Sequence, residues 1–89
     1  MAEIQLLIRN QLGMHARSCS MFAKTASRFK SEVMVSRDGV EVNGKSILGV
    51  MMLAAEQGAT ILVKAVGDDE ADALTALKEL VDGKFGGEP

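Results

Sequence analysis

The sequence predicts an α+β domain built in the order βαββαβα, a four-stranded antiparallel sheet with three helices on one face. Three observations carry this expectation: short runs with an apolar residue at every second position, longer runs with helical spacing, and an Asp-Gly pair between two strand-like runs. Covering one face of an antiparallel sheet with helices buries four amphipathic strands economically.

The elements follow in order. Glu3 to Arg9 places Ile4, Leu6 and Ile8 on one side at strand period, with Leu7 breaking the alternation. Asn10 to Gly13 is a polar loop ending in glycine. From Ala16 to Phe29, small and apolar residues recur at Ala16, Cys19, Ala23 and Ala26, flanked by Phe22 and Phe29, as in a helix that packs close to a sheet. Val33 and Val35, then Asp38-Gly39, then Val40 and Val42 form a hairpin, because Asp-Gly supplies the positive φ angles of a tight primed turn. Ser46 to Leu53 is a short helix with Ser46 as N-cap. Gln57-Gly58 breaks the chain before the last strand, Thr60 to Val66, with Ile61, Val63 and Ala65 facing inward. Gly67-Asp68-Asp69 opens the last helix, where Asp69 and Asp72 approximate a capping box. Leu74, Leu77, Leu80 and Val81 are its buried stripe, and Gly83 its stop. Residues 1–83 are expected to form one domain and residues 84–89, with two glycines and a terminal proline, a disordered tail.

Bulk properties narrow the function. A chain of 89 residues permits one domain that buries roughly 60 to 65% of its unfolded surface. A formal charge of −2, scattered lysines, no Trp or Tyr and three Phe argue against a nucleic-acid surface. One cysteine permits no internal disulfide, and the start Met1-Ala2-Glu3-Ile4 lacks a basic region followed by a long apolar run, so a soluble cytosolic protein is expected. No apolar run approaches the roughly 20 residues needed to span a bilayer.

The only histidine, His15, lies where a strand-like segment gives way to a helix-like one, in Gly13-Met14-His15-Ala16-Arg17-Ser18. The first turn of a helix presents unpaired N–H groups and the positive end of its macrodipole, which together hold an anion. A phosphorylated imidazole would be such an anion, and Arg17 supplies a planar cation suited to phosphate. One His near one Arg also arises by chance, and a lone His is usually a surface or capping residue.

Gly13-Met14-His15-Ala16-Arg17 resembles the active-site signature of the HPr family, the histidine phosphocarriers of the bacterial phosphoenolpyruvate-dependent phosphotransferase system. Asn43-Gly44-Lys45-Ser46-Ile47-Leu48-Gly49-Val50-Met51-Met52-Leu53 resembles the family's regulatory-serine segment with its short hydrophobic helix. The resemblance covers nearly the whole chain and leaves out only the tail after Asp82. It implies an open-faced β-sandwich. It also implies that Nδ1 of His15 accepts a phosphoryl group from the phosphoenolpyruvate-charged first enzyme of the system and passes it to the phosphoacceptor domains of sugar-specific transporters. The main-chain amides of Ala16, Arg17 and Ser18 and the Arg17 side chain would steady the transferring oxygens. Phosphoryl transfer asks a protein mainly for positioning and charge, so a phosphocarrier intermediate rather than a stand-alone catalyst is expected, a monomer with no cofactor and no metal.

This chain has Ser18 where the family usually has proline and Cys19 where it usually has alanine. Proline suits a first helical turn because its missing N–H would go unpaired there. Ser18 restores a donor and adds a hydroxyl, so Ser18→Pro is expected to change the lifetime of the phosphohistidine and the rates with partners. Cys19, four residues after His15, makes with it too few ligands for a closed metal site, and a small buried thiol is the commoner role. Ser46 is explained by capping alone. The resemblance adds phosphorylation by a serine kinase, with a phosphatase to reverse it, the new charge acting on docking beside the helix. That helix is apolar nearly all round, more than one buried face requires. Ile47, Leu48, Met51 and Met52, with Met14, Met21, Lys24 and Arg17, would form a patch beside His15 shared by upstream and downstream partners, where flexible methionines suit several proteins in turn.

Two rival functions stand beside this. One is a regulatory binding module of the same fold, acting in carbon or nitrogen control through protein contacts, against which the presence of His15 counts. The other is an unrelated α/β module for a metabolite or RNA, which would show a glycine-rich ligand loop or exposed aromatic strand residues. Neither is visible.

Overall fold

A computed structural model of residues Met1–Pro89 places four strands in one antiparallel sheet, β1 (Ala2–Leu7), β2 (Glu32–Arg37), β3 (Val40–Asn43) and β4 (Thr60–Val66), in the order β1-β4-β2-β3. The helices are α1 (Ala16–Ser27), α2 (Ile47–Met51) and α3 (Glu70–Asp82). α3 lies along β1 and β4, α1 packs on α2 and α3, and the helices share one face of the sheet, the open-faced sandwich expected. No helix is long and apolar enough to cross a membrane.

The period-two strands behave as their spacing requires. Ile61, Val63 and Ala65 of β4 are fully buried, as are Leu6 with the following Ile8, and Val33 with Val35. They meet Cys19, Phe22 and Ala26 of α1 and Ala73, Leu74, Leu77 and Val81 of α3 in one core. Phe22 is thus a central core residue rather than a flanking one, and Leu7, which broke the alternation, faces outward. The hairpin turns through Asp38 (φ 51°) and Gly39 (φ 83°), the two positive φ angles its sequence demands. Ser46 caps α2, its Oγ accepting the Gly49 N–H at 3.0 Å.

Two expectations fail. Asp69 occupies the N-cap position of α3 but makes no side-chain cap, so the capping box with Asp72 does not form. Its carboxylate instead accepts the Lys30 N–H (2.8 Å), the Ser31 N–H (2.9 Å) and the Ser31 hydroxyl, tying the connection between α1 and β2 to the start of α3. Three donors outcompete one cap. The Ser31 hydroxyl first, then the Lys30 amide, hold the Asp69 carboxyl down at about 2, below its ordinary 3.8. A depressed folded-state pKa stabilises above the unfolded value and is lost as pH falls through the folded one. The melting temperature should therefore drop between about pH 4 and pH 2 in the parent, and this part of the drop should be absent in Asp69→Asn; parallel thermal melts over that range check it.

The second failure is the tail. Lys84–Gly87 forms a tight left-handed turn, with positive φ at all four residues, and buries Phe85 to 1% exposure in the core. Gly83 is not a left-handed stop (φ −83°), so the chain runs directly from α3 into this turn. Residues 84–89 are therefore not a disordered tail. Two glycines make the turn accessible, and one phenyl ring gives it a reason to form.

Candidate functional site

The site is built by a change of chain direction. Gly13, in the left-handed region at φ 68°, ends the loop from β1, its N–H donating to the Asn10 carbonyl at 3.0 Å. Met14 then donates its N–H to the Ala55 carbonyl at 2.7 Å and is buried at 6% exposure. His15 is extended (φ −98°, ψ −178°) and serves as N-cap of α1. Its carbonyl accepts from the Cys19 N–H at 2.8 Å, the first helical bond.

Ser18, three residues on, reaches back: its Oγ accepts the His15 N–H at 2.9 Å and lies 3.1 Å from the His15 carbonyl and 3.3 Å from that of Gly13. This is the returning half of a capping box, with a hydroxyl where Glu or Gln usually acts. Ser18 is fully buried. Ser18→Pro removes this acceptor and leaves the His15 N–H unpaired, so it should lower stability by about 1–2 kcal/mol as well as change the phosphohistidine lifetime. Thermal melts and hydrolysis rates of the phosphorylated forms check both.

The amides of Ala16 and Arg17 find no main-chain acceptor, as expected for a first turn, and that of Ser18 points to the His15 side chain as the other half of the capping box. The His15 ring is half-buried, and its Nε2 is enclosed without a hydrogen-bond partner. Arg17 is largely in solvent, its side chain 77% exposed, yet its Nε meets the Glu88 carboxylate at 2.5 Å. Glu88 is itself only 16% exposed, and the buried Asn10 fixes the chain end beside it by donating to the Pro89 carbonyl at 3.1 Å. An ion pair with one partner so exposed contributes little stability, at most about 1 kcal/mol, and its cation is readily exchanged to another anion. Glu88 was not foreseen, because nothing local in a Gly-Gly-Glu-Pro end points to a partner at Arg17.

Cys19 is fully buried, and burial pushes its thiol up to about 11, so it is a protonated packing residue in the core. The apolar patch divides. Leu48 and Met52 are about three-quarters exposed, at 75% and 74%, Ile47 and Met51 are partly exposed, and only Val50 of α2 is buried. Lys24 is exposed and Met21 half-buried on α1, against which α2 packs. Met14, expected in this patch, lies in the core and offers no surface. Leu12, which the sequence did not single out, is 64% exposed in the loop just before it.

Residues 2–82 match the family model described as the PTS HPr component phosphorylation site. The chain is 53% identical over 79 residues to the phosphocarrier protein HPr of Neisseria meningitidis serogroup A, covering 89% of each, and 47% identical over 85 residues to that of Xylella fastidiosa strain 9a5c, covering 96% of each. The crystal structure of HPr-C-His from Thermoanaerobacter tengcongensis superposes with a TM-score of 0.95 at 44% identity over the full length of both chains. With a histidine at a helix start, first-turn amides around it and a resemblance this extensive, the chain belongs to the HPr family of phosphocarriers of the phosphotransferase system.

Proposed function

We propose that His15 is the phosphoryl acceptor of this phosphocarrier and that Nδ1 forms the bond. The reading is supported above all by the enclosure of Nε2, which is buried without a hydrogen-bond partner, while the half-buried ring keeps its Nδ1 side toward the first turn of α1. Nδ1 presents its lone pair to phosphorus, a P–N bond forms, and the bond between phosphorus and the donor breaks with its electrons leaving on the donor. The proton on Nε2 stays in place. The charge gathering on the three phosphoryl oxygens is met by the amides of Ala16, Arg17 and Ser18 and by the Arg17 guanidinium, which exchanges Glu88 for the incoming anion. Stabilisation by a helix start is modest, about 0.3–1 kcal/mol, which suits a group that must be passed on again.

The donor is the phosphoenolpyruvate-charged first enzyme of the system, and the acceptors are sugar-specific transporter domains. Both dock on the exposed side chains of α2 and its C-cap, Ile47, Leu48, Met51 and Met52, with Met21 and Lys24 alongside. A monomer suffices for this chemistry, since every group named belongs to one chain, and the cytoplasm is where it works. Phosphorylation of Ser46 by a kinase would set a charge of about −2 next to Leu48 and keep an acceptor oxygen for the Gly49 N–H, so docking changes and the helix does not melt. Met51→Glu is expected to slow transfer from the donor and to the acceptors about tenfold or more, by placing a charge in a desolvating contact; phosphotransfer kinetics in both directions check it.

The function is tested by intact mass after incubation with phosphoenolpyruvate and the first enzyme. The parent should gain one acid-labile phosphoryl group and His15→Ala none. No gain in the parent, while a known HPr is labelled in the same tube, would instead favour a regulatory module acting through contacts.

A further inference from the structure

Arg37, the last residue of β2, turns back from the hairpin and binds the loop that leaves α2. Its Nη1 donates to the carbonyls of Ala54 (2.8 Å) and Leu53 (3.2 Å), and its Nη2 meets Oε1 of Glu56 at 2.7 Å. The side chain is 20% exposed, held also by Asp38 at 3.6 Å. This loop needs a brace, because Ala54 sits at φ 48°, a left-handed conformation in which the alanine Cβ crowds the following carbonyl oxygen.

The same loop holds the histidine. The carbonyl of Ala55, one peptide on from the Arg37 contacts, accepts the Met14 N–H at 2.7 Å. The packing is so close that a Cβ on Gly13 would stand 2.4 Å from that oxygen. Met14 leads straight into His15, which has no other main-chain tie to the sheet side of the molecule before α1 begins. Arg37, the Leu53–Glu56 loop, Met14 and His15 thus form one chain of direct bonds.

We propose that Arg37 is a positioning residue for phosphoryl transfer: by fixing the Leu53 and Ala54 carbonyls it holds the Ala55 carbonyl on Met14, and so the His15 ring in register with the amides of α1. The proposal rests on His15 being the acceptor. It places a determinant of reactivity on the hairpin, away from the imidazole and from the α2 side chains on which partners dock. Because the brace acts on alignment rather than on docking, its loss lowers the rate of the chemical step and leaves partner affinity alone.

The test compares parent, Arg37→Ala, Arg37→Lys and the double variant Arg37→Ala with Ala54→Gly, all first shown to be phosphorylated on His15. Amide hydrogen exchange is read at Met14 and, as a core reference, at Val63, alongside kcat and KM for phosphorylation by the first enzyme. In Arg37→Ala the Met14 amide should exchange about tenfold faster relative to Val63, with kcat down roughly three- to tenfold and KM within about twofold of parent. Arg37→Lys, which keeps one donor, should fall between. Ala54→Gly, which removes the left-handed penalty, should restore part of both the protection and the rate. The proposal is overturned if Met14 and Val63 accelerate by the same factor, if Met14 protection is lost with kcat unchanged, or if the defect lies in KM alone. Loss of folding in Arg37→Ala leaves the lysine variant to decide by the same readings. Failure of the parent itself to label at His15 would count against the function and not against the brace.

Discussion

Phe85→Ala is expected to lower stability by about 2–4 kcal/mol, although position 85 lies in a glycine-rich chain end. A phenyl ring truncated inside a packed core gives up about 3–5 kcal/mol. Against this stands the left-handed backbone of Lys84 and Phe85, about 1–2 kcal/mol for each, part of which is shed if the end detaches. For a chain of this length each kcal/mol moves the melting temperature by about 4–8 °C, so the midpoint should fall by about 10 °C or more. Deleting residues 84–89 should produce a similar fall and also release Arg17 from Glu88. Thermal unfolding followed by circular dichroism decides it. An unchanged midpoint in both variants would mean that the end is a free tail.

Gly13→Ala should damage both fold and function. The new Cβ would meet the Ala55 carbonyl at 2.4 Å and the Glu56 Cα at 2.8 Å, both main-chain atoms that no rotamer change can move aside. Residue 13 would also carry a left-handed φ of 68° without glycine's freedom. Together these should cost about 2–4 kcal/mol. The contact opens between the two loops that set His15, and displacement of a reacting group by about 1 Å is enough for a large loss of rate, on the order of a hundredfold. Unfolding midpoints and single-turnover phosphorylation rates of parent and variant, taken well below both midpoints, separate the two effects. Gly39→Ala serves as a control for φ alone, because its Cβ would meet nothing within 4 Å.

What the sequence made legible was local. Alternation at Ile61, Val63 and Ala65, the Asp38-Gly39 turn and the Ser46 cap each depend on residues within a few positions of one another, and each stands where the spacing put it. His15 was legible for the same reason, as a histidine between a loop glycine and a helix. What escaped depends on partners far along the chain. Asp69 resembles a helix cap until Lys30 and Ser31, some 39 positions away, offer their amides and a hydroxyl. Met14 falls between a glycine and a histidine where no periodicity exists, and its burial in the core goes with a tie to the distant Ala55 carbonyl. Glu88 and Phe85 read as part of a polar, flexible end because the core that receives the ring and the Arg17 that receives the carboxylate are assembled from residues far back along the chain. The order β1-β4-β2-β3 was likewise open, since antiparallel strands of similar composition do not name their neighbours.

The central claim is a phosphoryl group on one particular atom. The direct measurement is a heteronuclear NMR spectrum of the phosphorylated protein labelled with 15N in its single histidine, resolving which ring nitrogen couples to phosphorus. Coupling to Nδ1, with Nε2 still carrying its proton, is the predicted result. Coupling to Nε2, or phosphorylation that leaves both ring nitrogens uncoupled, would contradict it.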